Sequence, residues 1–196
     1  VMNAMCAAGA AFAQGAHLHD IRAGLTGFLP TWDSAPGRLN YIDVNGIHGF
    51  VDYAHNAAGL RALGEFLLSY LDGLTKSGQD IARRRCIGVL GTAGDRRDED
   101  IVELGRTAAE FFDVIVIRED QKRRGRQSGE VAALIAEGVR ERPQGRAREV
   151  TTILDEVEAA TYALEVANPG DVVAVMGDDM QALADTLMDA AHSGGN

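Results

Sequence analysis

The chain has 196 residues, 46% of them hydrophobic, and a formal net charge of -10. That length suits one well-buried domain, or one domain with a small appendage, and the acidity argues against a general nucleic-acid binder. No secretory leader is expected, no apolar run in the sequence is long enough to span a bilayer, and the two cysteines, Cys6 and Cys86, form no CxxC pair. We therefore expect two reduced, packed thiols in a cytoplasmic protein.

Met2 to Gln14 is rich in alanine and free of proline, which predicts a mostly buried helix. The helical pattern starts at Val1 with no capping residue before it, so we expect a segment of a longer chain. Leu18 to Phe28 predicts a second short helix, with Asp20 near its start. Phe28 to Gly37 holds two prolines and reads as a connector, with a candidate boundary near Pro30 to Pro36. Arg38 to Val44 and Ile47 to Ala54 predict two antiparallel strands, because Asn45-Gly46 between them is a strong two-residue hairpin turn. Asn56 to Leu71 carries Leu60, Leu63, Phe66, Leu67 and Tyr70 at helical spacing. Asp72 to Arg85 is polar and reads as a loop.

From there strand and helix alternate. Strands are expected at Cys86 to Leu90, Val114 to Ile117, Glu149 to Ile153 and Asp171 to Met176. Helices are expected at Asp98 to Phe112, Ser128 to Arg140, Asp155 to Asn168 and Met180 to Ala191, and Ser193 to Asn196 is a tail. Such alternation predicts an α/β, Rossmann-like, mostly parallel sheet with helices on both faces, preceded by a hairpin strand and a helical remnant.

Ligands of such sheets sit beyond the carboxyl ends of the strands. That rule selects four polar loops: Asp52 to Asn56, Gly91 to Asp100, Arg118 to Arg126 and Gly177 to Met180. At the first, Asp52 can accept ribose hydroxyls and His55 can donate to a phosphate; equally, Asp52 and Asn56 can cap the following helix. In the second, Arg96 and Arg97 can grip a carboxylate or phosphate, while Asp98, Glu99 and Asp100 suit a first helical turn. It is neither GxxxxGK[ST] nor GxGxxG, so no phosphate motif is claimed. The third, rich in mixed charge, reads either as a solvated loop or as part of a site. In the fourth, Asp178 and Asp179 can bind a cation or guanidinium, or cap the last helix. His17, His19, His48 and His192 show no ligand-like spacing.

Taken together, these positions resemble the carboxy-terminal part of the Mur ligase family, which joins an amino acid to a carboxylate through an acyl phosphate made from ATP. Asp52-Tyr53-Ala54-His55-Asn56 matches a DYAHxP-type motif, Pro36-Gly37-Arg38 a preceding PGR, and Asn3 and Ala4 the NxxNALAA helix of the central ATPase domain. VDYAHN, GDRRDED and an ED…RGR…GE segment, in that order, are most similar to the branch that adds arginine to poly-aspartate. The resemblance implies a helical end of the central domain at 1-29, a linker at 30-37, the C-terminal domain at 38-192 and a tail at 193-196. It implies that Asn3 touches the adenine, that Arg38, Asp52 and His55 bind ATP, and that Arg96 holds the amino acid's carboxylate. Glu119, Asp120, Arg124, Arg126, Asp178 and Asp179 fall to the amino-acid site, the acids facing a guanidinium by charge complementarity. Mg²⁺ would be held mainly by an upstream central domain, without which this piece is expected to be inactive. A homo-oligomer stays open, and so do a muramyl-peptide ligase, a folylpolyglutamate-type ligase and a non-catalytic binding module. Two departures stand out: Ala57 replaces the proline after HN, and Glu119-Asp120-Gln121-Lys122 stands where the diaminopimelate-adding branch carries DNPR.

Overall fold

A computed structural model of the chain describes residues 2–28, 31–76 and 84–193; Val1, residues 29–30 of the connector, residues 77–83 of the expected loop and residues 194–196 of the tail expected at 193–196 lie outside the described residues, while Ser193 ends the last helix. The elements are α1 (Met2–Ala13), α2 (Leu18–Gly27), β1 (Asn40–Val44), β2 (Ile47–Asp52), α3 (Ala57–Lys76), β3 (Cys86–Leu90), α4 (Asp98–Phe111), β4 (Val114–Ile117), α5 (Glu130–Arg140), β5 (Glu149–Thr152), α6 (Glu156–Val166), β6 (Val172–Met176) and α7 (Met180–Ser193). The six strands form one sheet in the order β1-β2-β6-β3-β4-β5. Only the β1–β2 hairpin pairs antiparallel; every other neighbour is parallel.

The central strands are continuous apolar runs because both of their faces are covered. Alternate residues enter two separate cores. Ile115, Ile117, Ala174 and Met176 pack with α3, α4 and α5 on one face. Val114, Val116, Val173 and Val175 pack with α6 and α7 on the other. On α3, Leu60, Leu63, Leu67 and Leu71 are all buried, each contributing about 1.5–3 kcal/mol by leaving water. Helices α4 and α5 meet backbone to backbone: a Cβ on Gly105 would strike the carbonyl of Ile135, and one on Gly138 that of Val102.

Three expectations change. Helix α3 runs on to Lys76, because Gly73 costs a helix interior only about 1 kcal/mol and leaves the helix intact. The chain starts β1 at Asn40 rather than Arg38, since Leu39 turns through φ 54° just before it. Helix α1 is not mostly buried: Met5 is 67% and Phe12 61% exposed, and Cys6 is exposed while Cys86 is buried. Alanine-rich composition specifies a helix, but burial needs a facing surface, and α1 packs on α2 with no residue of either in the two cores. Among the described residues, no helix is long and apolar enough to cross a membrane.

Candidate functional site

From β3 the chain steps outward to β4 and β5, then returns through α6 to place β6 on the other side of β3. This reversal puts the switch point of the sheet between the carboxyl ends of β3 and β6, where open α/β sheets bind ligands. All four loops singled out by the sequence open on this edge. A cavity of about 330 Å³ lies there, lined by residues of each loop: Tyr53 and His55; Thr92, Ala93, Asp95 and Arg96; Arg118 and Arg124; and Asp178.

The first loop is held by its own polar groups. Asp52 accepts from Leu39 N–H at 2.9 Å and Ala54 N–H at 2.8 Å. Burial pushes the Asp52 carboxyl above its usual range, against the pull of those two amides and of Arg38. Asn56 Oδ1 accepts from Gly59 N–H at 2.9 Å and caps α3, so Asn56 has the capping role and Asp52 instead ties the loop to Leu39. Arg38 lies over the Tyr53 ring, 5.6 Å from its centroid. Thr92 donates to the His55 carbonyl at 2.9 Å, joining the first two loops. His55 Nδ1 lies 3.0 Å from the Tyr53 carbonyl. A carbonyl only accepts, so Nδ1 carries the proton and neutral His55 offers Nε2 as an acceptor; it can donate to a phosphate only as the imidazolium.

The cavity is lined in part by Arg118, which the sequence places at the head of a charged loop but which is only 2% exposed. Its side chain runs from the end of β4 past β3 to β6, where Nε donates to the Met176 carbonyl at 3.1 Å. Gly91 makes the passage possible: a Cβ there would lie 2.6 Å from the Arg118 carbonyl oxygen and 3.0 Å from Nε. Nη1 donates to Asp178 at 3.1 Å and lies 3.6 Å from the buried Glu156 carboxylate. Glu156, the first residue of α6, accepts from the N–H groups of Asp178 and Asp179 at 3.0 and 3.1 Å. Sequence reasoning missed both residues. Their signal was the pair of glycines, Gly91 and Gly177, that end the two strands beside the switch point.

A second cavity of about 460 Å³ shares Tyr53, Arg124 and Asp178 with the first and adds Asp120, Gln121, Lys122, Glu156 and Asp179. The site thus has two compartments. One holds three guanidiniums, of Arg96, Arg118 and Arg124, and the other is rich in carboxylates. Arg124 pairs with Asp95 at 2.6 Å, both well exposed, whereas the Arg96 guanidinium has no hydrogen bond or ion pair among the described residues.

Other expected site residues stand elsewhere. Glu119 is buried and accepts from Gly129 N–H at 2.9 Å and Ala132 N–H at 3.2 Å, which commits it to the start of α5. Arg126 buckles the second loop to the third through the carbonyls of Gly94 and Arg96 and the carboxylates of Asp98 and Glu130. Asp179 lines the second compartment, but one of its oxygens caps α7 through Ala182 N–H at 3.0 Å. Asn3 is exposed on α1 and lines neither compartment, and neither do Arg38 and Asp52. Asp98, Glu99 and Asp100 occupy the first turn of α4 as the dipole favours. No group of three or more His, Cys, Asp or Glu among the described residues could hold a metal ion.

A family model described as Mur ligase, glutamate ligase domain matches residues 37–178. The chain belongs to the Mur ligase family. The cyanophycin synthetase of Crocosphaera subtropica is 39% identical over 175 residues, 89% of this chain and 18% of that protein. The UDP-N-acetylmuramoyl-L-alanyl-D-glutamate--2,6-diaminopimelate ligase of Gloeobacter violaceus is 33% identical over 189 residues, 94% of this chain and 34% of that protein. Among solved structures, the Mycobacterium tuberculosis folylpolyglutamate synthase complexed with ADP and AMPPCP superposes with a TM-score of 0.58 at 22% identity, covering 89% of this chain and 35% of that one. This Mur ligase chain therefore spans about 18% of the length of the cyanophycin synthetase it matches. Its sheet and helices are those of the family's C-terminal fold.

Proposed function

We propose that this Mur ligase domain forms the amino-acid side of an ATP-dependent amide ligase of the cyanophycin synthetase type. In this reading it works within a longer chain and adds arginine to poly-aspartate. The observation that carries the proposal is the two-compartment site: guanidiniums of Arg96 and Arg118 beside carboxylates of Asp120 and Asp178. An amino acid whose side chain is cationic matches that order of charges, its α-carboxylate toward the first compartment and its guanidinium toward the second. Glutamate or diaminopimelate would bring a further carboxylate against Asp120 and Asp178. The identity to cyanophycin synthetases across 89% of the chain agrees with the same reading.

ATP would approach from the first loop. Arg38 stacked on Tyr53, with Asp52 and His55 beside them, offers a cation, an aromatic face and hydrogen-bond acceptors suited to a nucleoside phosphate, and Asn3 would reach it from α1. A folylpolyglutamate synthase of the same fold is complexed with ADP and AMPPCP, which agrees with nucleotide use. Mg²⁺ would supply charge neutralisation at the phosphates; the described residues gather no ligand set for it, so we assign this chain no metal ligand. What the chain contributes is positioning: it holds the amine donor and closes the site against water. On its own it is expected to show no arginine-dependent ATP turnover.

The test uses the full parent enzyme. Asp120→Asn and Asp178→Asn should each raise the KM for arginine by about 10-fold or more, the worth of a charge-assisted hydrogen bond, with the KM for ATP unchanged. An unchanged arginine KM in both variants would rule out this placement of the guanidinium.

A further inference from the structure

We propose that Arg118 binds the α-carboxylate of the incoming amino acid together with Arg96, and so sets the selectivity for an amino acid over the corresponding amine. The proposal rests on the reading above that the two compartments take an amino acid.

Arg118 is nearly wholly buried, yet it lines the cavity. Its Nε is used by Met176 and its Nη1 by Asp178, with Glu156 close by. Nη2 has no hydrogen-bond partner among the described residues, and it is not one of the fully enclosed, unpartnered nitrogens of the molecule. Nη2 is therefore the donor that this fixed cation, a lining residue of the cavity, leaves uncommitted. The fixing is thorough: Gly91 leaves just enough room for the side chain to pass, and two acceptors, with the Glu156 charge beside them, hold the guanidinium. A buried ion pair adds little net stability relative to an apolar replacement, so stability alone does not account for a cation at this place.

The charges select the ligand. Three guanidiniums and two carboxylates line the first cavity. Arg124 is matched by Asp95 and Arg118 by Asp178, and Arg96 remains. Glu156, 3.6 Å from Arg118 Nη1, adds a third carboxylate behind the lining, so the site is near neutral and its one unmatched cation is Arg96, which suits a single carboxylate better than a multiply charged phosphate. A carboxylate has two oxygens, one for Arg96 and one for Arg118 Nη2, and guanidinium donors suit such planar anions. Asp178, held from behind by Arg118, then stands between the bound carboxylate and the acidic compartment and keeps the zwitterion in one orientation.

The test compares, in the full parent enzyme, the amino acid that drives ADP release with its decarboxylated amine; under the reading above these are arginine and agmatine. Arg118→Lys and Arg118→Met should raise the KM for the amino acid by about 10-fold or more. The inhibition constant of the amine and the KM for ATP should stay within about twofold. Preserved discrimination between amino acid and amine, or equal losses for amino acid, amine and ATP, would overturn the proposal. If another amino acid drives turnover, the arginine reading fails, and Arg118 is still tested on that amino acid and its amine. If no amino acid drives turnover, both fail. Because removing the buried cation strands Glu156 and can cost the fold, a second measurement leaves the chain intact. A structure of the parent with the amino acid bound should place a carboxylate oxygen about 3 Å from Arg118 Nη2; a carboxylate held away from Arg118 would overturn the assignment.

Discussion

Glu156→Gln should destabilise the chain by about 3 kcal/mol. Glu156 is 6% exposed, and its two oxygens accept from Asp178 N–H at 3.0 Å and Asp179 N–H at 3.1 Å. Glutamine keeps one of these oxygens and turns the other into an NH₂ group that faces a backbone donor. One buried N–H then loses its acceptor, at about 1–3 kcal/mol. The charge opposite Arg118, 3.6 Å away, is also lost. Stranding a buried cation completely costs about 3–5 kcal/mol, but Asp178 stays at 3.1 Å, so only a fraction of that applies. The measurement is urea unfolding of the 196-residue chain by far-ultraviolet circular dichroism at pH 7. Asp95→Asn, which breaks an exposed pair with Arg124, serves as the control and should leave the midpoint within error. If Glu156→Gln loses no more stability than Asp95→Asn, the buried network at the switch point does not hold the 177–179 loop as described.

Gly138→Ala should cost about 2–3 kcal/mol in the same assay, because the new methyl meets the Val102 carbonyl and forces α4 and α5 apart; a neutral result would mean that the two helices are not in backbone contact. A thiol reagent at pH 8 should label Cys6 quickly and Cys86 only on unfolding, since burial, aided by Asp113, pushes the Cys86 thiol up to about 12. The unfolded thiol ionises from about 9.0 while the folded one keeps its proton, so this group's contribution to stability falls as pH rises from about 9 to about 12. Equal labelling rates in the native chain would contradict the burial of Cys86. Gly91→Ala should perturb the site far more than its size suggests, weakening amino-acid binding in the parent enzyme by about 10-fold or more, because the methyl occupies the path of Arg118; an unchanged KM would show that Arg118 does not need that path.

The sheet was legible because fully buried parallel strands read as unbroken apolar runs, as in Cys86 to Leu90 and Val172 to Met176. The edge on which the site opens followed from topology alone. What stayed hidden depended on partners far away in sequence. Glu119 looked like a substrate ligand because its charge complements a guanidinium, but the amides it serves belong to Gly129 and Ala132. Arg118 looked solvated because it heads a charged loop; its partners Met176 and Asp178 lie about sixty residues on. Helix α1 looked buried because composition records apolarity and not what faces it. Asp52 and Asn56, an even choice between cap and ligand at first reading, divide the roles: Asn56 caps α3, and Asp52 fastens the loop that carries Tyr53 and His55.

ADP release by the full parent enzyme, supplied with ATP, a poly-aspartate acceptor and each amino acid in turn, tests the central claim most directly. Arginine should drive turnover well above every other amino acid, with lysine the nearest competitor because it shares the cationic side chain. Turnover driven by glutamate or diaminopimelate, with arginine inert, would contradict the assignment of the acidic compartment to a guanidinium.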